Sequence, residues 1–547
     1  MAGDALSASP RVQITRTLWT SENMQLESNS YDAVPYTSHA FVQTHPDRLA
    51  TIATLFGLKC KPVESCRVLE IGCARGGNVL PMAEQLPDSE FVGFDLSEVQ
   101  ITEAQQLAEK CQFSNIQLLH RDIMDFGDEF GTFDYIICHG VFSWVPRPVQ
   151  KKILSLCGTL LNPNGIATVS YNTFPGWHMR YMIRDMICYH AAQFGSPETK
   201  VQQARALLDF LAGNAAQNTP FGVHMKTEAE LLRSHEDAYL YHEYLETVND
   251  PIYFFQFIER AEAEGLQYLG ETEMAAMWSG HIPPDVSSTL ERITSDLIQM
   301  EQYVDFLRNR TFRQTLLCRK DLTIDRTLRA SDLQALHVAS NLIPVDKEIN
   351  TADNSEVRFC RRNNTKLGMS SKAPLLKSAL WELIRTWPNN IPFDELLSTS
   401  YRQVAGTDMI SEERWKETEE NFGRSLLQIY MNGFIEFFPR AFSHSTTVSE
   451  KPQASRLARI QAESDNRVTT LRHQAIALDD VGRQVLQWLD GSNDRDSLVE
   501  LLREAVAANV LRILPSKDTE NNETEADKFP AIIDQTLNHF AQAALLM

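Results

Sequence analysis

Val68-Leu69-Glu70-Ile71-Gly72-Cys73-Ala74-Arg75-Gly76-Gly77 is the stretch that decides the fold of this 547-residue chain. An apolar, strand-forming run carrying an acid passes directly into small residues. Glycines there reach backbone angles closed to other residues and leave no Cβ in the way. A nucleoside-bearing ligand can therefore lie against the main chain where strand turns into helix. The spacing Gly72-x-Ala74-x-x-Gly77 also passes, loosely, for the dinucleotide fingerprint, so the flanking units have to choose the cofactor.

Those units are strand-sized. Glu90 to Ser97 reads as a second strand ending in Asp95, 25 positions beyond Glu70, where an acid can accept both ribose hydroxyls. A third strand, Ile116 to Leu119, precedes Asp122 and Ile123, an acid placed for an adenine amino group and an apolar cover for the ring. Phe133 to His139 reads as a fourth strand, and the turn Leu161-Asn162-Pro163-Asn164-Gly165 feeds a fifth. Each piece alone has an ordinary reading: a structural turn, helix N-caps at Asp95 and Asp122, a hydrogen-bonded strand end at His139. Their combination predicts a Rossmann-like α/β domain. In order and content the pieces resemble the class I S-adenosylmethionine methyltransferases, with the middle glycine of the usual loop replaced by Ala74. That resemblance implies S-adenosylmethionine as cofactor, S-adenosylhomocysteine as product and no metal. It implies cofactor contacts from Glu70, Gly72, Cys73, Gly76, Asn78, Asp95, Leu96, Asp122, Ile123 and His139.

Composition narrows the partner. The formal charge is −21, from 51 basic and 72 acidic residues, whereas a nucleic-acid binder needs a basic face to displace counterions. Arg308, Arg310, Arg313, Arg319, Lys320, Arg326 and Arg329 form a local exception against only Asp321 and Asp325 in the same stretch. It reads as a solvated or ion-paired helix surface, with a receiver for an acidic partner as the alternative. The nine cysteines show no C-x-x-C pair and an odd total, as small core residues of a reducing cytoplasm do. The start of the chain lacks the features of a secretory leader, and no run approaches the roughly 18 apolar residues of a membrane span. A cytoplasmic protein without membrane insertion is expected.

Aromatic residues gather where the acceptor should approach. Tyr31 to Phe41 precede the sheet, and Tyr36 is placed near the methyl group. Trp144 follows the fourth strand; Tyr171, Asn172 and Trp177 follow the fifth. Loops beyond the strand ends should meet at the methyl donor, so these residues are candidates for an acceptor channel, with simple packing as the alternative. From 179 to 235 helical spacing predicts an insertion that covers the site or pairs with a second subunit. His242 with Glu243 and Glu246 lacks a second histidine at ligand spacing and reads as structural.

Further on come His242, Tyr244 and Leu245, then Asn249, Pro251, Tyr253 and Phe254, then Gly265 to Leu269 and Asp305 to Leu317. These look like the methyltransferase regulatory domain, and the whole is similar to the rickettsial-type protein lysine methyltransferases, which modify outer membrane proteins. The resemblance implies a protein substrate, an outer membrane or surface protein; a small-molecule or peptide natural-product methyltransferase is the competing reading, and a cofactor-fold binding protein a third. The predicted order is an N-terminal extension (1–30), the Rossmann-like domain (31–178), the helical insertion (179–235), the regulatory domain (236–370), a winged-helix-like and helical domain (371–515), an acidic disordered linker (516–530) and a final helix (531–547). Residues beyond about 370 are expected to capture substrate without touching the methyl donor. Transfer to a lysine needs alignment and desolvation, and no dedicated base is required.

Overall fold

The computed structural model describes residues 34, 38–277, 282–346, 349–406, 411–512 and 528–547. The expected N-terminal extension, Tyr31, Tyr36 and residues 516–527 of the acidic stretch lie outside the described residues.

The central element is a seven-stranded sheet in the order β3-β2-β1-β4-β5-β7-β6. Its strands are β1 (Arg67–Ile71), β2 (Glu90–Asp95), β3 (Ile116–His120), β4 (Phe133–Cys138), β5 (Leu161–Asn172), β6 (Leu266–Glu271) and β7 (Phe312–Arg319). The first five are parallel, and β7 runs antiparallel to both β5 and β6. β4 is buried along its whole length, as a strand covered on both faces is, and its one acid, Asp134, accepts from the Arg67 amide and from Asn162. The helices needed here are α1 (Pro46–Leu55), α2 (Val79–Gln85), α3 (Glu98–Cys111), α4 (Arg147–Leu160), α5 (Trp177–Ala191), α6 (Pro197–Asn214), α7 (Pro220–Arg233), α8 (Phe254–Ala263) and α9 (Leu297–Arg308). Strand order reverses between β1 and β4, which places a ligand crevice beyond their carboxyl ends.

The sheet therefore does not close within 31–178: its last two strands come from the 236–370 segment. β7 is hard to see in the sequence because its second residue, Arg313, is a fully buried cation. Its guanidinium bonds Asp305 at 2.8 Å, Glu301 at 3.0 Å and Glu271 at 2.5 Å, and lies 3.8 Å from the centre of the Phe254 ring. The rest of the basic stretch is engaged as well. Arg310 pairs with Asp305, Arg319 with Asp321, Lys320 with Glu262 and Arg329 with Asp325, while Arg308 and Arg326 bond backbone carbonyls. The ion pairs are there, some local and some to distant elements, but the stretch is not a helix surface: it passes from the end of α9 into β7 and puts Arg313 in the core.

α5 to α7 form the helical insertion around Ile183, Leu208 and Met225 and leave Tyr189 and Phe210 exposed. His242 is structural: Nδ1 bonds Glu246 at 2.8 Å and Nε2 bonds the Val34 carbonyl at 2.6 Å. Two C-terminal units follow. The first places helices Pro374–Thr386, Phe393–Ala405 and Glu412–Met431 around short strands His337–Ala339, Ile391–Pro392 and Glu436–Phe438. It clasps α1 through Arg440 on Asp47, Arg48 on Glu436 and Thr51 on the Phe437 carbonyl. The second has helices Arg456–Ser464, Asp480–Gln487, Arg495–Ala507 and Phe529–Gln542 and a hairpin of Arg467–Thr469 with Ala475–Ala477. Its first helix rests on α2: the Ser455 hydroxyl and the Leu457 amide both donate to the Glu84 carboxylate.

Candidate functional site

Where β1 ends, Gly72 (φ +74°), Ala74 (φ +49°) and Gly76 (φ +74°) turn the chain through left-handed conformations. The Gly72 and Cys73 amides donate to the Phe94 carbonyl, which draws the loop against the end of β2. A Cβ on Gly72 would stand 2.5 Å from Val141 Cγ2, and one on Gly77 would stand 2.5 Å from the Ser38 carbonyl carbon. The loop is therefore hemmed in by the chain after β4 on one side and by the segment ahead of the sheet on the other. Ala74 takes the left-handed conformation without a glycine's freedom, and its amide donates to Asp95 Oδ2 at 2.9 Å, a bond that offsets the strain of roughly 1–2 kcal/mol.

Asp95 sits at the carboxyl end of β2 and also accepts from the Ser97 amide at 3.0 Å; the N-cap of α3 is Ser97 itself. Asp122, by contrast, is the N-cap of a single 3-10 turn, accepting from the Met124 amide at 2.8 Å. It is exposed, as are Leu96 and Met124 beside it. Two apolar side chains, Leu96 and Met124, thus stand exposed with Asp122 beyond the ends of β2 and β3.

Glu70 is the most informative residue of the site. It is buried, its Oε1 accepts from Asn78 Nδ2 at 2.7 Å, and its Oε2 is buried without a partner. Burial pushes its carboxyl up to about 8 against the opposing effect of the Asn78 bond. A buried oxygen with nothing to accept is costly unless something supplies a donor. The amino group of S-adenosylmethionine is such a donor, and with the glycine cradle and Asp95 the donor set fits that cofactor. Asn78 is itself a junction: its Oδ1 accepts from the Phe41 amide and from His473 Nε2, both at 2.9 Å, and its Nδ2 also reaches Thr44 Oγ1 at 3.0 Å.

Beyond β4, His139 packs against Phe41 with ring centres 4.2 Å apart and meets Phe312 edge-on at 6.1 Å. Burial drives its imidazole down to about 4, so it is neutral at physiological pH. Asn172, at the end of β5, donates from Nδ2 to Asn249 Oδ1, and its backbone amide donates to Ser143. Trp144 is half-buried, 6.3 Å from Trp177.

Two of the aromatic candidates point elsewhere. Tyr171 is 1% exposed, its ring stacks on Phe257 at 4.0 Å and its phenol pairs with Thr315. Side chains alternate along a strand, so Asn172 reaches the sheet's carboxyl edge while Tyr171 lies in the core beneath α8. Trp177 is likewise wholly enclosed at the start of α5. The packing alternative describes both. Tyr36 lies outside the described residues. Sequence reasoning missed Ser38, Phe41, Thr44, Asn249, Phe312 and His473. Phe41 and Asn249 stand in motifs visible in the sequence, whereas nothing local marks His473, 395 positions from Asn78. Among the described residues no group of three or more histidine, cysteine or acidic side chains could hold a metal ion, and no helix is long and apolar enough to cross a membrane.

Family models match three segments: a methyltransferase domain at 68–165, a predicted methyltransferase regulatory domain at 236–319, and the C-terminal winged helix domain of PKMT at 450–545. An uncharacterised Rickettsia prowazekii protein, RP789, is 35% identical over 528 residues, 95% of this chain and 94% of that one. A shorter one, RP028, is 43% identical over 241 residues, 44% of this chain and 96% of its own. The structure of PKMT2 from Rickettsia typhi in complex with AdoHcy superposes with a TM-score of 0.84 at 32% identity, covering 94% of this chain and all of that one.

Proposed function

Because the chain belongs to the family of Rickettsia typhi PKMT2, class I S-adenosylmethionine-dependent methyltransferases with a regulatory domain and a C-terminal winged helix, we propose that it methylates lysine side chains of proteins by direct in-line transfer. The observation that carries this reading is the superposition on PKMT2 over 94% of the chain, which extends to the non-catalytic domains as well as the cofactor sheet. The bound cofactor supplies an activated methyl group on a sulfonium.

In this reading the chain's residues divide the work. Glu70 receives the cofactor's amino group, Asp95 the ribose, and Asp122, Ile123 and Leu96 the adenine. Phe41, His139, Trp144, Phe312 and Asn172 surround the approach of the acceptor. Aromatic walls exclude water and tolerate a cationic nitrogen on their faces. Burying a lysine ammonium among them lowers its pKa, and the neutral amine then attacks; the proton can pass to water. The neutral imidazole of His139 adds no further positive charge there. Holding amine, methyl carbon and sulfur in line supplies several kcal/mol of the barrier reduction. The test is transfer of label from methyl-labelled S-adenosylmethionine to denatured and folded proteins, followed by acid hydrolysis: methyllysine supports the reading, and label confined to other amino acids refutes it.

Three further outcomes are expected. Asp95→Ala should weaken cofactor binding by about 1.5 to 3 kcal/mol, the worth of charge-assisted hydrogen bonds, measured by calorimetry. Tyr171→Phe should leave the transfer rate unchanged and cost about 1 kcal/mol of stability, since its phenol serves only Thr315. Cofactor affinity should rise with pH towards about 8. Below that value free Glu70 holds a proton which the cofactor's ammonium must expel, so binding releases a proton and strengthens by up to about tenfold per pH unit. Glu70→Gln should flatten that slope.

A further inference from the structure

The hairpin of the second C-terminal unit reaches the back of the cofactor loop, and one side chain at its tip enters the hydrogen-bond network that ends at Glu70. We propose that His473 is a positioning residue of the cofactor site: through Asn78 it fixes the Glu70 carboxyl that receives the cofactor's amino group, so the C-terminal unit is part of that site. This rests on the placement of the amino group at Glu70.

The hairpin tip is built to present this side chain. Thr470 and Gln474 close the turn through Thr470 N to Gln474 O at 2.9 Å, and Thr470 Oγ1 accepts from the Arg472 and Gln474 amides at 3.2 and 3.3 Å. His473 takes a left-handed conformation, φ +59°. Histidine visits that region more readily than most side chains, and here it turns the ring inward at the hairpin tip. The ring is 2% exposed and lies 5.0 Å from His45. Burial, with His45 adding to it, holds the imidazole neutral.

The hydrogen-bond roles follow from the chemistry of the partners. Asn78 Nδ2 gives one hydrogen to Glu70 Oε1 and one to Thr44 Oγ1, so the oxygen side of the amide faces Phe41 N and His473 Nε2. An amide oxygen only accepts, so His473 Nε2 carries the hydrogen and the chain runs His473 to Asn78 to Glu70. Donation into the amide oxygen polarises the N–H bonds on its other side, which strengthens the hold on Glu70 in a water-free setting. Glu70 Oε2, left without a partner, is then aimed by a fully specified neighbour. The hairpin cannot drift from this contact, because Gln85 Nε2 donates to the Thr470 carbonyl and the Glu84 carboxylate takes Ser455 and Leu457, all on α2, the helix that Asn78 precedes.

Calorimetry on the full chain separates positioning from packing when two ligands are compared: S-adenosylhomocysteine, which has the amino group, and 5′-methylthioadenosine, which lacks it. His473→Gly relieves the left-handed conformation and His473→Asn tolerates it, and neither can reach Asn78. Both should lose about tenfold in affinity for S-adenosylhomocysteine, the worth of one buried hydrogen bond in such a chain, with 5′-methylthioadenosine binding unchanged. His473→Gln, whose amide nitrogen stands near the position of Nε2, should restore most of the loss. Equal losses for both ligands, or none for either, would overturn the proposal. Glu70→Gln serves as the separate check. If it leaves the preference for S-adenosylhomocysteine intact, the placement of the amino group is wrong. If it abolishes that preference while the His473 variants keep it, only the role of His473 falls.

Discussion

Gly72→Val is expected to abolish measurable cofactor binding in a protein that still folds. The position has φ +74°, which a β-branched residue reaches only under strain, and even a Cβ would come within 2.5 Å of Val141. Either the loop shifts away from the end of β2 or Val141 and the chain after β4 move into the crevice, and both displace the cradle. Strain and overpacking together amount to roughly 3–5 kcal/mol, more than a hundredfold in affinity. Calorimetry with S-adenosylhomocysteine, alongside a thermal melt, checks it. Unchanged affinity would remove this loop from the cofactor's binding surface.

The largest expected loss of stability belongs to Arg313→Ala. The guanidinium is the shared counter-ion of Glu271, Glu301 and Asp305, all nearly inaccessible to water, and Arg310 reaches only Asp305. Deleting it strands carboxylates in the interior and removes the cation from the Phe254 ring. Breaking a buried pair in this way costs about 3–5 kcal/mol. The sign of the pH response is fixed. Burial already raises the Glu301 and Asp305 carboxyls, with Arg313 opposing it; without the guanidinium they rise further, so protonation relieves the repulsion and the deficit should shrink as pH falls from 8 towards 5. A loss below about 1 kcal/mol in urea unfolding would mean that the network relaxes onto water and does not pin β6 and β7 to the sheet.

How much of this the sequence displayed depended on range. The cofactor loop was legible because its chemistry is local: an acid within an apolar strand, small residues at left-handed positions, and a second acid at the end of the next strand. Glu70, Gly72 and Asp95 stand where such a pattern puts them. Which side of a strand a residue faces was not legible at the end of β5, so Tyr171 and Asn172 looked equivalent, whereas both are buried and one packs under α8 while the other bonds Asn249. β7 was hidden by a charge in its interior, which reads as surface until its acidic partners on β6 and α9 are known. The residues beyond about 370 were expected to capture substrate without touching the methyl donor; that their hairpin contacts Asn78 directly was not foreseen. No spacing rule could announce that pairing, because it depends on the unit's docking against α2.

The most direct test of the account is to incubate the purified chain with methyl-labelled S-adenosylmethionine and the proteome of its source organism, then locate the label by peptide mass spectrometry, with Glu70→Gln and Gly72→Val run in parallel. The account predicts label on lysine side chains of proteins, strongly reduced in the first variant and absent in the second. Label found only on small molecules, or on protein residues other than lysine, would contradict it.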